Sequence, residues 1–260
     1  MKKSLVGMLH VPALPGSPRA EQSLGDIEAR LVAEARLLQE VGFHVAIIEN
    51  FGDVPFFKDA VGAATIAAMT RLACAVRVAV PELPLGINVL RNDARAALAV
   101  AFVAGAKFIR VNVHVGATAT DQGVIEGRAA ETLRARAALG AEVAIWSDVH
   151  VKHGRSLAHA SIADEAEDAV RRGLADALVV SGRGTGEATS LDDLRVVAEL
   201  ELGVPIYVGS GVTVGSVESL LDVADGVIVG TSIKTDNKTT NPIDRRRAER
   251  LVEKARLRLL

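Results

Sequence analysis

The sequence predicts a (β/α)₈ barrel, and three features lead there. Eight short apolar runs, rich in Val and Ile and bounded by Gly, Asn, Asp or Pro, recur along the chain. Strands buried on both faces read this way. Longer amphipathic or alanine-rich segments separate the runs, as helices do. Polar residues gather where the runs end, the face at which such barrels carry their ligands.

Taken in order, residues 5–9 form the first run, and 23–41 the first helix, with Ile27, Leu31, Ala35 and Leu38 along one face. Run 45–48 precedes the alanine-rich helix 59–78, and run 86–90 precedes helix 93–104. Run 108–113 leads to a helix over 122–139, and run 143–146 to one over 162–172. Runs 177–180, 205–208 and 226–229 precede helices 191–202, 217–223 and 242–259. Alternation of this kind implies right-handed βαβ units and a parallel sheet. Eight units suggest closure into a barrel, with an open doubly wound sheet as the alternative. No linker, charge block or low-complexity tract divides the chain, so residues 1–260 read as a single domain.

Hydrophobic residues make up 49%, ample for a core of that size, and a net charge of −2 offers no electrostatic footprint for nucleic acid or anionic membrane. The lone cysteine, Cys74, excludes an intrachain disulfide and reads as a small buried hydrophobe. The apolar start stops at His10 and Pro12, too short for a signal peptide, and no run approaches about 18 residues. The expected compartment is the cytoplasm. Association into a homo-oligomer is left open.

Candidate ligand-binding residues follow from the strand ends. The first run ends in His10, and the second in Glu49, Asn50, Phe51, Gly52 and Asp53. The third carries Asn88 and leads to Arg91, Asn92 and Asp93; the fourth carries Arg110, Asn112 and His114. The sixth ends in Ser181. The fifth is the densest, with Asp148, His150, Lys152 and His153. If extended backbone persists there, Asp148, His150 and Lys152 share one face and form a proton-transferring or charge-holding group; a salt-bridged loop is the alternative. Asp148 is expected to keep Lys152 protonated, as an anchor or proton donor, with Schiff-base formation as the alternative. The seventh and eighth runs pass into Gly209, Ser210 and Gly211 and into Gly230, Thr231 and Ser232. Glycine lets an oxyanion approach backbone N–H groups, and these two loops of a barrel often hold phosphate; tight turns alone are the alternative. Lys234 is placed to add a cation. His44 and His159 read as structural or solvated. Glu187 breaks a dinucleotide fingerprint at Gly182. No metal-ligand spacing is diagnostic, so no metal and no cofactor are expected.

Several of these segments are shared with a known family. His10-Val11-Pro12-Ala13-Leu14-Pro15-Gly16, Glu49-Asn50-Phe51-Gly52-Asp53, Asn88-Val89-Leu90-Arg91-Asn92-Asp93 and Arg110-Val111-Asn112-Val113-His114 are four of them. Thr120-Asp121-Gln122-Gly123, Asp148-Val149-His150-Val151-Lys152-His153, Val208-Gly209-Ser210-Gly211-Val212-Thr213 and Gly230-Thr231-Ser232-Ile233-Lys234 are the others. Over nearly its whole length the sequence resembles the BtpA family, which includes SgcQ-like proteins. Val54 and Ser147 depart slightly from its pattern and leave the polar set intact. The resemblance implies a phosphate-binding (β/α)₈ barrel. It also implies a link to photosystem I biogenesis in cyanobacteria, which is not general, since similar proteins occur without photosynthesis.

Two functions are expected to compete. One is an enzyme acting on a phosphorylated small molecule, a sugar phosphate or nucleotide-like compound, by lyase, isomerase or glycosyl-bond-cleaving chemistry. In it Asp148, His150, Lys152, Glu49 and His114 react, while His10, Asn50, Asn88, Arg91, Asn92, Arg110, Asn112 and Ser181 hold substrate. The other is a non-catalytic assembly factor, which predicts a sizeable apolar patch on the helical ring.

Overall fold

The computed structural model describes residues 3–150, 154–182 and 189–259. Its barrel strands are β1 (Ser4–His10), β2 (Val45–Glu49), β3 (Leu85–Asn88), β4 (Phe108–Val111), β7 (Ala144–Val149), β9 (Ala177–Val180), β10 (Ile206–Val208) and β11 (Gly226–Val229). All pair in parallel, in the closed order β1-β11-β10-β9-β7-β4-β3-β2. The helices are α1 (Leu24–Val41), α2 (Ala63–Ala79), α3 (Ala94–Ala104), α4 (Ala129–Ala138), α5 (Ile162–Arg171), α6 (Leu191–Glu199), α7 (Val217–Val223) and α8 (Arg245–Leu259). The open-sheet alternative is therefore set aside.

Helix starts follow capping chemistry. Ser23, Asp93, Ser161 and Ser190 each accept the N–H three residues on with a side-chain oxygen. The apolar faces of the helices and the outer faces of the strands make one large core, and Cys74 packs against it half-buried.

Inside the barrel lies a second, smaller core. The rings of Phe108 and Trp146 stack at 3.7 Å, and those of Trp146 and Tyr207 at 4.0 Å. Gly86 and Gly226 have no room for a side chain because Phe108 and Tyr207 lie against them. Val6, Met8, Ile47, Val179 and Ile228 pack around the stack, so the barrel centre is solid.

One segment departs from expectation. The first part of the predicted helix 122–139 is a hairpin, β5 (Ala117–Thr120) against β6 (Gly123–Glu126), and α4 begins only at Ala129. Gly123 has a φ of +98°, which a helix cannot use. Thr120 Oγ1 accepts Gln122 N–H and donates to Gly123 O, closing the turn. Ile125 buries against Val113. A short strand, β8 (Arg155–Ser156), extends the hairpin from the loop after β7.

Among the described residues no helix is long and apolar enough to cross a membrane.

Candidate functional site

The C-terminal ends of the strands surround a cavity of about 920 Å³. Its two sides differ in chemistry.

One side comes from β1 to β4. His10 Nε2 lies 3.8 Å from Glu49 Oε1, and both side chains are buried. The His10 ring also meets Phe51 edge-on at 5.0 Å. Gly230 on the neighbouring strand leaves the space that His10 fills. Arg91 lines the cavity beside them. Burial depresses its pKa, against the pull of Asp148, Glu49 and Asp121. Arg110 binds Asp148 in a fork, Nε to Oδ1 at 2.7 Å and Nη2 to Oδ2 at 2.9 Å. Burial works against the charge on Arg110, but Asp148 outweighs it and the pKa is raised. Arg110 Nη2 also reaches Ser181 Oγ at 3.5 Å. Asn112 Nδ2 donates to Asp148 Oδ2, and Asn88 Nδ2 donates to Asn112 Oδ1 and to the Arg110 carbonyl. Asp148 is thus fully engaged: it fixes Arg110, and Arg110 and Asn112 face the cavity.

The other side comes from the turns after β10 and β11. Gly209, Ser210, Gly211, Gly230, Thr231 and Ser232 all line the cavity, as do Thr213 and Thr239. Gly209 has no room for a Cβ because Ser181 and Val179 press against it, and Gly211 has a φ of +66°. Ser232 Oγ donates to Val212 O at 2.6 Å, tying the two turns together. The hydroxyls of Thr231 and Thr239 are 2.8 Å apart.

Several expected positions lie elsewhere. His150 does not share a face with Asp148, because its φ of +56° ends the extended backbone. Its ring is 4.0 Å from Asp193 on α6, and its N–H bonds Glu165 on α5. Lys152 and His153 lie outside the described residues. His114 is turned into the helical layer, where Nε2 donates to Gly173 O at 2.8 Å and burial lowers its pKa. The amides of Asn50 and Asn92 are committed to loop backbone. Asn50 Oδ1 accepts Leu90 N–H at 2.7 Å, and Asn92 both donates to and accepts from Val113. Lys234 is withdrawn from the mouth. It is fully buried behind the turn, with Nζ 2.7 Å from Glu34 Oε2 of α1. Burial lowers its pKa and Glu34 opposes the shift. Arg30 completes this group, donating to Glu34 Oε1 and to Thr240 O. His44 is structural, accepting Leu5 N–H on Nδ1.

Sequence reasoning also missed residues that line the cavity. Asp121, at the tip of the β5–β6 hairpin, is one, and Phe56, after β2, is another. A helical reading of 122–139 hid the hairpin that carries Asp121 over the mouth. Glu34 was detectable: it is an acid on the buried face of α1, which demands a partner. Among the described residues no group of three or more His, Cys, Asp or Glu is placed to hold a metal.

The model of the BtpA family matches residues 1–257. An uncharacterized protein of Methanocaldococcus jannaschii is 45% identical over 98% of this chain and 95% of its own length. The photosystem I biogenesis protein BtpA of Synechocystis is 42% identical over 96% of this chain and 86% of its own. Among solved structures, orotidine 5'-phosphate decarboxylase from Pyrococcus horikoshii superposes with a TM-score of 0.61 at 16% identity, covering 97% of this chain and 99% of that one. That likeness establishes the fold.

Proposed function

This chain belongs to the BtpA family, and from that premise we propose that it is an enzyme acting on a phosphorylated small molecule. One observation carries the reading: a single cavity has Glu49, His10, Arg91 and Arg110 on one side and two glycine- and hydroxyl-rich turns on the other. The turns at Gly209–Gly211 and Gly230–Ser232 hold the phosphate through backbone N–H groups and hydroxyls. Glu49 and His10 move a proton at the substrate. Arg91 and Arg110 face negative charge as it develops. That combination suits a lyase or isomerase step. Glycosyl-bond cleavage builds positive charge on a sugar ring and suits two arginines less well. The structural neighbour named for a 5'-phosphate substrate is consistent with the phosphate assignment.

The name of the Synechocystis relative favours a second reading, an assembly factor that works through its outer surface. Phe102 and Val103 of α3 and Val78 of α2 are exposed apolar residues on that surface. The ionisable groups buried in the mouth have no role in this reading, so it is held second.

The test is calorimetric titration with inorganic phosphate and ribose 5-phosphate, alongside turnover screening of phosphorylated metabolites. Gly211→Asp puts a carboxylate at the expected oxyanion position, on a backbone geometry that Asp tolerates. Binding should weaken at least tenfold, about 1.4 kcal/mol. Unchanged affinity in the folded variant would sink the phosphate assignment.

A further inference from the structure

We propose that the ligand's far end, away from the phosphate, is a planar heterocyclic ring, so that the substrate is a nucleotide-like phosphate ester and not a simple sugar phosphate. The proposal rests on the phosphate reading above and narrows it.

Aromatic residues make up only 3% of the chain, and there are six phenylalanines in all. Three of them, Phe51, Phe56 and Phe57, fall within seven residues of the loop between β2 and α2. Core packing does not require them there. Phe51 and Phe56 are half-buried, and Phe57 is 65% exposed. Phe51 and Phe56 line the cavity together with Val54 and Leu90, giving it an apolar stretch of wall that adjoins the charged side at His10. A sugar phosphate can offer such a wall only the small C–H face of its ring, which two phenylalanines, a valine and a leucine exceed. A ring with two apolar faces matches it, because any base can stack on an aromatic side chain.

The wall is also held in place. Asp53 Oδ1 accepts Leu14 N–H at 2.8 Å, and Gly52 N–H donates to Val11 O at 2.9 Å. Gly52 sits so close to Ala13 that no side chain fits between them. Further along, Phe57 O accepts Arg91 N–H at 3.2 Å, which joins the aromatic loop to the segment carrying the guanidinium. A wall fixed on both flanks is prepared for a flat ligand. Size agrees: about 920 Å³ lies near the top of the roughly 300–1,000 Å³ range of small-molecule sites. A pentose phosphate alone would leave much of it unfilled.

The experiment compares three kinds of probe by calorimetry: inorganic phosphate, ribose 5-phosphate and a panel of nucleoside 5'-monophosphates. Each is titrated into the wild type, Phe56→Ala and Phe56→Leu, with folding checked by circular dichroism. At least one nucleotide should bind about tenfold more tightly than ribose 5-phosphate. Phe56→Ala should remove at least about fivefold of that nucleotide's affinity, the lower end of base–aromatic stacking, and leave ribose 5-phosphate unchanged. Phe56→Leu, apolar but without a flat face, should also lose most of the gain. Nucleotides binding no better than ribose 5-phosphate would overturn the ring proposal and leave the phosphate reading standing. So would a nucleotide advantage indifferent to Phe56. Failure of every probe, phosphate included, would instead overturn the phosphate reading, and the ring proposal with it.

Discussion

The two sides of the mouth are built in opposite ways. On the β1–β4 side, charged groups reach the cavity and are aimed by other side chains: Asp148 fixes Arg110, and Asn88 fixes Asn112. On the β10–β11 side, Gly209–Thr213 and Gly230–Ser232 contain no formal charge. Lys234, two residues after Ser232, is buried behind the turn against Glu34. The contrast teaches a division of labour. A lysine at the turn would attract an anionic substrate and its transition state alike, which lowers KM without speeding chemistry. Under the proposed function, neutral turns hold the non-reacting end and the charges are kept where bonds change.

Glu49→Gln should give the largest effect and is the sharpest way to break this comparison. Turnover of a substrate found by the screen should fall about 10²–10⁴-fold, while phosphate affinity is kept. Loss of both together would show that the two sides do not act separately. Next in size, Lys234→Met leaves Glu34 in the core with Arg30 as its one remaining ion-pair partner among the described residues. Denaturant unfolding should show a loss of about 3–5 kcal/mol. The double variant with Glu34→Gln should recover much of it; if it does not, the pair is not what the turn depends on.

A smaller effect is expected at Glu165, outside the mouth. Burial raises its pKa, while His150 opposes the shift. The folded protein therefore binds a proton that the unfolded chain releases, and stability falls as pH rises through that range above the usual carboxylate value. Glu165→Gln keeps the acceptor for His150 N–H and removes the charge. Its gain in Tm over the wild type should be larger at pH 7 than at pH 4, and an equal gain at both would refute the buried charge. The smallest effect belongs to His150→Asn, which tolerates the same backbone region. Stability should stay within about 0.5 kcal/mol and turnover should not change. A large drop in rate would return β7 to the centre of the chemistry.

The strands were legible because burial on both faces leaves unbroken apolar runs, and the helix starts because Ser23, Asp93, Ser161 and Ser190 announce themselves as caps. The glycine turns were legible for the same local reason. What escaped depends on single backbone angles or on distant partners. Gly123 turns a helix-like stretch into a hairpin, and His150 ends the alternation that would have put it beside Asp148. Asn50 and Asn92 look from sequence like ligand amides, yet the loops of Leu90 and Val113 consume them. Lys234 faces α1 because the short helical turn Thr231–Ile233 carries the chain past the mouth before the lysine is reached. No pattern within a few residues of it reveals Glu34, 200 positions away.

The stacked rings inside the barrel give the molecule an optical sensor of its own. Trp146 is the chain's single tryptophan, so the indole emission of the whole protein arises from one known place. It lies between Phe108 and Tyr207, two residues before Asp148. Met8 and Ile228 of the same cluster form part of the cavity lining. A ligand settling on that floor lands against the fluorophore's own packing shell. Occupancy can then be followed by the brightness or wavelength of that emission, in unlabelled protein and before any reaction product has been identified.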